Sequence, residues 1–140
     1  MQRQHTRFGW GPLLVALAIA SPVSAAADRL LTGEWEFTNK SGRDAYTFKK
    51  CLKASDAAQV NGDVASAKAA MEQDAAGRCT VESFAIAEDT VDYLLVCGSQ
   101  RIKSTTAYRG DRSDATITVS TENGVTTSSV KGHRLGVCKP

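Results

Sequence analysis

Few residues of this chain have the types and spacing that catalysis requires. A Ser-His-Asp arrangement would depend on His133, with Ser128 or Ser129 as the candidate nucleophile. The chain contains no G-x-S-x-G sequence, and a single histidine near a strand end is commonly a surface or hydrogen-bonded structural residue. We therefore assign His133 no catalytic role.

The carboxylates also indicate surface positions. Glu34 and Glu36 lie on one face of a predicted strand, where solvent-exposed acidic residues are usual. Asp111 and Asp114 follow Gly110, but the full D-x-D-x-D-G-x5-E calcium pattern is missing. Neither a C-x-x-C pair nor a Gly-rich phosphate loop occurs. The sequence thus predicts no catalytic residue, no metal site and no cofactor.

The chain has four cysteines, Cys51, Cys79, Cys97 and Cys138. An even number in an exported chain predicts two disulfides, and four cysteines allow three pairings. The Glu88-Asp89 turn lies midway between Cys79 and Cys97, so a hairpin folded there brings these two residues nearly opposite each other. We therefore favour Cys79–Cys97 and Cys51–Cys138 over the other pairings.

The first 27 residues have the pattern of a signal peptide. Arg3 and Arg7 precede the apolar run Leu13–Ala20, and small residues follow at positions 24–27. That run is shorter than the roughly 20 residues that a membrane-spanning helix needs. We expect a mature N-terminus between Ala26 and Asp28, a single mature domain over residues 28–140, and no integral membrane segment after processing.

Removing this segment changes the charge balance. The whole chain has 17 Lys and Arg against 15 Asp and Glu, and two of the arginines lie in the signal peptide. The predicted mature domain is therefore neutral. Since nucleic-acid binding depends on an excess of basic residues, we expect no nucleic-acid partner.

The mature part has the pattern of an α+β, mainly β, domain. Gly33–Lys40 and Asp44–Lys50 alternate as a first hairpin, with Trp35, Phe37, Tyr46 and Phe48 predicted to face inward. One helical excursion is expected between Cys51 and Cys79, with Ser55 and Asp63 as candidate N-caps, a helix over Val64–Ala76 and Gly77 at its end.

The remaining residues, from Cys79 to Cys138, are predicted to be strands joined by short turns. In Gln100–Arg109 the alternation places Ile102, Ser104, Thr106 and Tyr108 on one face. The overall prediction is a curved antiparallel β-meander of about six or seven strands.

An ordered set of short motifs suggests a family. The motifs are Gly33-x-Trp35, Cys51-Leu52, Cys79-Thr80 returning to Cys97, Tyr108-Arg109-Gly110-Asp111, and Gly132-His133-Arg134-Leu135-Gly136-Val137-Cys138. In this order, after a signal peptide, they resemble a family of small exported bacterial proteins known as domain of unknown function 3617. The resemblance covers residues 31–138. It implies a periplasmic protein of a Gram-negative bacterium and brings no established activity or catalytic residue.

The functional expectation is a non-enzymatic periplasmic binding protein or envelope-associated protein. Its partner would be a small apolar ligand or a periplasmic protein. One alternative is an inhibitor of an exported hydrolase, for which a protruding rigid loop is typical. Another is a weak hydrolase that uses Glu34 and Glu36, or His133, for which one of these groups should line a cleft.

Overall fold

The computed structural model describes residues 27–140, so the predicted signal peptide lies outside it except for its last residue. The described residues form seven strands and two helices. In chain order these are β1 (Gly33–Ser41), β2 (Asp44–Leu52), α1 (Ala54–Ala58), α2 (Val64–Ala75), β3 (Thr80–Ala87), β4 (Thr90–Cys97), β5 (Gln100–Tyr108), β6 (Arg112–Thr121) and β7 (Gly124–Gly136).

All seven strands form one antiparallel sheet in the order β2-β1-β7-β6-β5-β4-β3. Strands β3 to β7 pair in succession, because each is joined to the next by only two or three residues. The β1–β2 hairpin joins this meander through β1, which pairs with the last strand. The predicted antiparallel sheet is confirmed, and it does not close on itself.

Alternation along the strands gives the sheet two different faces. The inner face, which packs against the helices, includes Trp35 and Val91, both with 0% exposure. The outer face is rich in threonine, and cross-strand pairs such as Thr38 with Thr47 hydrogen bond through their hydroxyls at 3.1 Å. Branched threonines favour strands and remain hydrated, so this face needs no covering layer.

The helical excursion predicted between Cys51 and Cys79 is confirmed, and it consists of two helices. Ser55 lies inside α1 and does not cap it; the Asp56 carboxylate instead accepts a hydrogen bond from the backbone N–H of Lys53 at 2.7 Å. Asp63 caps α2 as predicted, accepting from the backbone N–H of Ser66 at 2.8 Å. The last helical residue of α2 is Ala75, shortly before Gly77, whose φ of +76° suits a helix end.

The residues before β1 fasten the helices to the sheet. Arg29 donates hydrogen bonds from its guanidinium to the carbonyl oxygens of Val60, Gly62 and Glu88, at 2.8–3.0 Å. The Asn61 side chain bonds both the N–H and the C=O of the Leu30 backbone, each at 2.9 Å. The loop between α1 and α2 is therefore held in place by a segment that is distant in sequence.

Both predicted disulfides are present. Cys79 and Cys97 join the start of β3 to the end of β4, with their Cα atoms 4.2 Å apart. Cys51 and Cys138 join the end of β2 to the residues after β7, with their Cα atoms 5.5 Å apart. The second bond reaches across β1, since β1 lies between β2 and β7 in the sheet.

Candidate functional site

A partly open cleft of about 240 Å³ lies between the inner face and the helices. Its walls are apolar, with Phe37, Ile117 and Val130 on the sheet side. The opposite side is formed by three buried residues: Leu30 before β1, Val60 in the loop between α1 and α2, and Met71 on α2. The cleft forms because α1 and α2 are short and contain mostly alanine on their buried positions, so they do not fill the space above the central strands.

Three buried hydroxyl side chains line the deep part of the cleft. Ser104 is 1% exposed, Thr106 5% and Ser113 8%, and we call these residues the hydroxyl cluster. The Ser104 Oγ and Thr106 Oγ1 atoms are 3.2 Å apart and share a hydrogen bond. Since one hydrogen satisfies this contact, the other hydroxyl hydrogen of the pair can be donated to another acceptor.

Two tyrosines border the hydroxyl cluster, Tyr93 on β4 and Tyr108 on β5. Burial raises the pKa of Tyr108 to about 12. The nearby Tyr93 side chain adds to this rise in pKa, and a hydrogen bond with the Thr106 hydroxyl opposes it. Tyr108 is therefore a neutral phenol at physiological pH, able to donate or accept a hydrogen bond.

An ion pair stands at the open side of the cleft. The Lys50 Nζ atom on β2 lies 2.9 Å from the Asp56 Oδ1 atom on α1. Partial burial by itself would raise the pKa of Asp56. The hydrogen bond from the Lys53 backbone and the contact with Lys50 outweigh burial and lower that pKa. Asp56 is thus an ionised carboxylate that caps a helix, and its contacts explain it without a catalytic role.

A glycine allows Phe37 to form one wall of the cleft. Gly132 on β7 is buried, and a Cβ atom placed there would lie 2.6 Å from Phe37 Cε1 and 2.6 Å from Ser113 Oγ. The phenyl ring therefore lies directly against the backbone of β7, beside the hydroxyl of Ser113. Any larger residue at position 132 would displace both side chains that border the cleft.

None of the candidate catalytic residues named from the sequence lines the cleft. Glu36 and His133 face each other on the outer face, with 3.8 Å between Oε1 and Nε2, and Glu34 lies on the same face. Ser129 shares that face but is four strand residues from His133, roughly 13 Å at the rise of an extended chain. Ser128 points to the inner face, so neither serine lies within reach of the imidazole.

Residues 27–140 contain neither a cluster of metal ligands nor a membrane-spanning helix. Within residues 27–140, no three His, Cys, Asp or Glu side chains lie close enough together to hold a metal ion. Asp114, part of the weak calcium-like pattern, instead lies 3.6 Å from the Lys131 ammonium. No helix among the same residues is both long and apolar enough to cross a membrane.

Sequence reasoning did not identify the hydroxyl cluster as a site, although a signal was present. Alternation in β5 placed Ser104 and Thr106 on the face that carries Ile102 and Tyr108, which is the buried face. Hydroxyls at consecutive inward positions of a central strand are unusual, because buried polar groups require partners. Two such residues on one strand could have indicated a polar patch within the core.

Comparison with known proteins places the chain in a family. No curated protein matches the chain, and no solved structure matches it. Residues 30–138 match the model of a family described as protein of unknown function (DUF3617), which agrees with the motifs between Gly33 and Cys138. The chain therefore belongs to the DUF3617 family.

Proposed function

We propose that this protein is a non-enzymatic binding protein that holds a small, largely apolar molecule in the cleft between the inner face and the helices. The observation that carries this proposal is the cleft itself, which combines apolar walls with a buried group of hydroxyls. Ligand sites are typically concave and mostly apolar, with a few polar groups that set orientation. A volume of about 240 Å³ is below the roughly 300–1,000 Å³ of pockets for drug-sized ligands, so the ligand is small.

Two features favour binding over the alternatives. The histidine and glutamates that could support hydrolysis lie on the outer face, away from the cleft. Strands β3 to β7 are joined by two or three residues only, which leaves no long loop there for insertion into the site of a hydrolase.

Toluene titration followed by amide NMR tests the binding proposal. We expect toluene to shift the amide signals of Ser104 and Thr106, which line the cleft. Replacing Ala115, another lining residue, with leucine should weaken toluene binding roughly tenfold or more, because the added methyl groups occupy the same volume at a steric cost of about 1–3 kcal/mol.

The control is Ala85→Leu, the same substitution at an exposed outer-face position of β3. It should leave toluene binding unchanged. Absence of shifts in the native protein, or equal loss of binding in both variants, would contradict the proposal.

We further propose that the protein is exported to the periplasm of a Gram-negative bacterium. Two disulfides are typical of an oxidising compartment, and the predicted signal peptide supplies a route. Expression of the full chain in such a host should yield periplasmic protein whose intact mass corresponds to a first residue between Ala26 and Asp28. A full-length mass in the membrane fraction would show that the N-terminal segment is an anchor.

A further inference from the structure

The deep part of the cleft is polar but uncharged. The hydroxyl cluster and the neutral phenol of Tyr108 offer hydrogen-bond donors and acceptors. Among the described residues that line the cleft, the charged side chains are Lys50 and Asp56, which lie at the open side and pair with each other. An ionised ligand group at the hydroxyl cluster would lose its hydration without meeting an opposite charge, which is costly.

The open side of the cleft continues into a row of aromatic rings. Phe37, Phe48 and Tyr46 follow one another along β1 and β2, and we call these three residues the aromatic shelf. Ring centroids are 5.4 Å apart between Phe37 and Phe48 and 5.9 Å apart between Phe48 and Tyr46. Phe37 is also stacked on the buried Trp35 at 5.8 Å, which fixes its position.

Two residues of the aromatic shelf, Phe48 and Tyr46, are exposed although they lie on the inner face, whereas Phe37 is half-buried. Phe48 is 41% exposed and Tyr46 59%, because α1 and α2 do not extend over them. The Tyr46 hydroxyl accepts a hydrogen bond from the Asn39 side chain at 3.1 Å. Exposed aromatic rings that are held in place, here inclined by 25° and 30° to one another, offer an apolar surface to a planar ring ligand.

We infer that the ligand is an uncharged, planar ring compound bearing a hydroxyl group. Its ring lies against Phe37 and extends toward Phe48, and its hydroxyl hydrogen bonds within the hydroxyl cluster. One molecule can contact both groups because Phe37 and Ser113 both border Gly132. The aromatic shelf and the hydroxyl cluster therefore meet at Gly132. This inference rests on the proposed binding function and specifies its ligand class.

Three probes of similar size test the ligand class by amide NMR titration. They are 2-naphthol, 2-methylnaphthalene, in which a methyl group replaces the hydroxyl, and the anion 2-naphthoate. We expect 2-naphthol to bind about 2- to 10-fold more tightly than 2-methylnaphthalene, the effect of one hydrogen bond with a buried partner. The anion should bind most weakly of the three.

Three variants show which residues cause these differences in affinity. Thr106→Val keeps the side-chain shape and removes one hydroxyl of the cluster, so it should weaken 2-naphthol binding more than 2-methylnaphthalene binding and reduce the preference for 2-naphthol. Thr116→Val, at an exposed outer-face position, is the matched control and should change neither. Phe48→Leu should weaken binding of both neutral probes by about 2- to 10-fold through the loss of ring stacking.

The outcomes separate failure of this inference from failure of the proposed function. Equal affinity for 2-naphthol and 2-methylnaphthalene, or tighter binding of 2-naphthoate, would overturn the ligand class while toluene binding still supports the cleft as a site. If neither toluene nor any naphthalene probe binds, both proposals are wrong.

Discussion

Replacing Cys51 and Cys138 together with serine should lower the free energy of unfolding by roughly 4.5 kcal/mol. The bond joins residues 87 positions apart, and on the chain-entropy model a loop of that length restricts the unfolded chain by about this amount. Small domains have total stabilities of about 5–15 kcal/mol, so this loss is a large fraction of the total. Urea denaturation of the oxidised proteins measures the difference.

The Cys79→Ser, Cys97→Ser variant is the matched comparison. Its bond closes a loop with a separation of only 18 residues, and the same model gives roughly 3 kcal/mol. The long crosslink also holds the edge strand β2 to the C-terminal residues, whereas the short one joins strands that already form a hairpin. A larger loss of stability in the short-loop variant would contradict this account.

Gly33→Ala should destabilise the fold by roughly 2–6 kcal/mol, the sum of backbone strain and steric overlap. Gly33 has a φ of +139°, a conformation that residues with a side chain rarely adopt. A Cβ atom there would also lie 2.2 Å from the carbonyl oxygen of Gly136 and 2.7 Å from Arg134 Nε. Because the nearest atom belongs to the backbone of β7, relief requires separation of β1 from β7.

Gly124→Ala distinguishes the two contributions. Gly124 has nearly the same φ, +137°, but nothing lies within 4 Å of its Cβ position. This substitution should therefore show only the backbone strain, about 1–3 kcal/mol. Thermal unfolding of both variants measures the difference. Equal losses of stability would mean that contact between the added Cβ atom and Gly136 does not destabilise the fold.

The parts of the structure that could be predicted depend on neighbours in sequence. The β3–β4 hairpin and its disulfide follow from a turn at Glu88-Asp89 placed midway between Cys79 and Cys97. Asp63 was predicted as a cap because capping uses residues only three positions apart. The Cys51–Cys138 pair was predicted by elimination once the local pair had been chosen.

The cleft could not be predicted because it depends on what covers the sheet. Alternation placed Tyr46 and Phe48 on the inner face correctly, but it could not show that the helices leave them exposed. The break between α1 and α2 is held by Arg29, whose partners are 31 to 59 residues away. Alternation also gives no strand order, so the pairing of β1 with β7 and the walls that result were not predictable from it.

The position of β7 inside the sheet determines when the sheet can assemble during synthesis or export. β7 is made last, yet it is the strand that links the β1–β2 hairpin to the β3–β6 meander. Until residues 124–136 emerge, whether from a ribosome or from a membrane translocase, these two parts have no strand pairing with each other. A chain that emerges from its amino terminus therefore completes this sheet only after residues 124–136 have followed the other six strands.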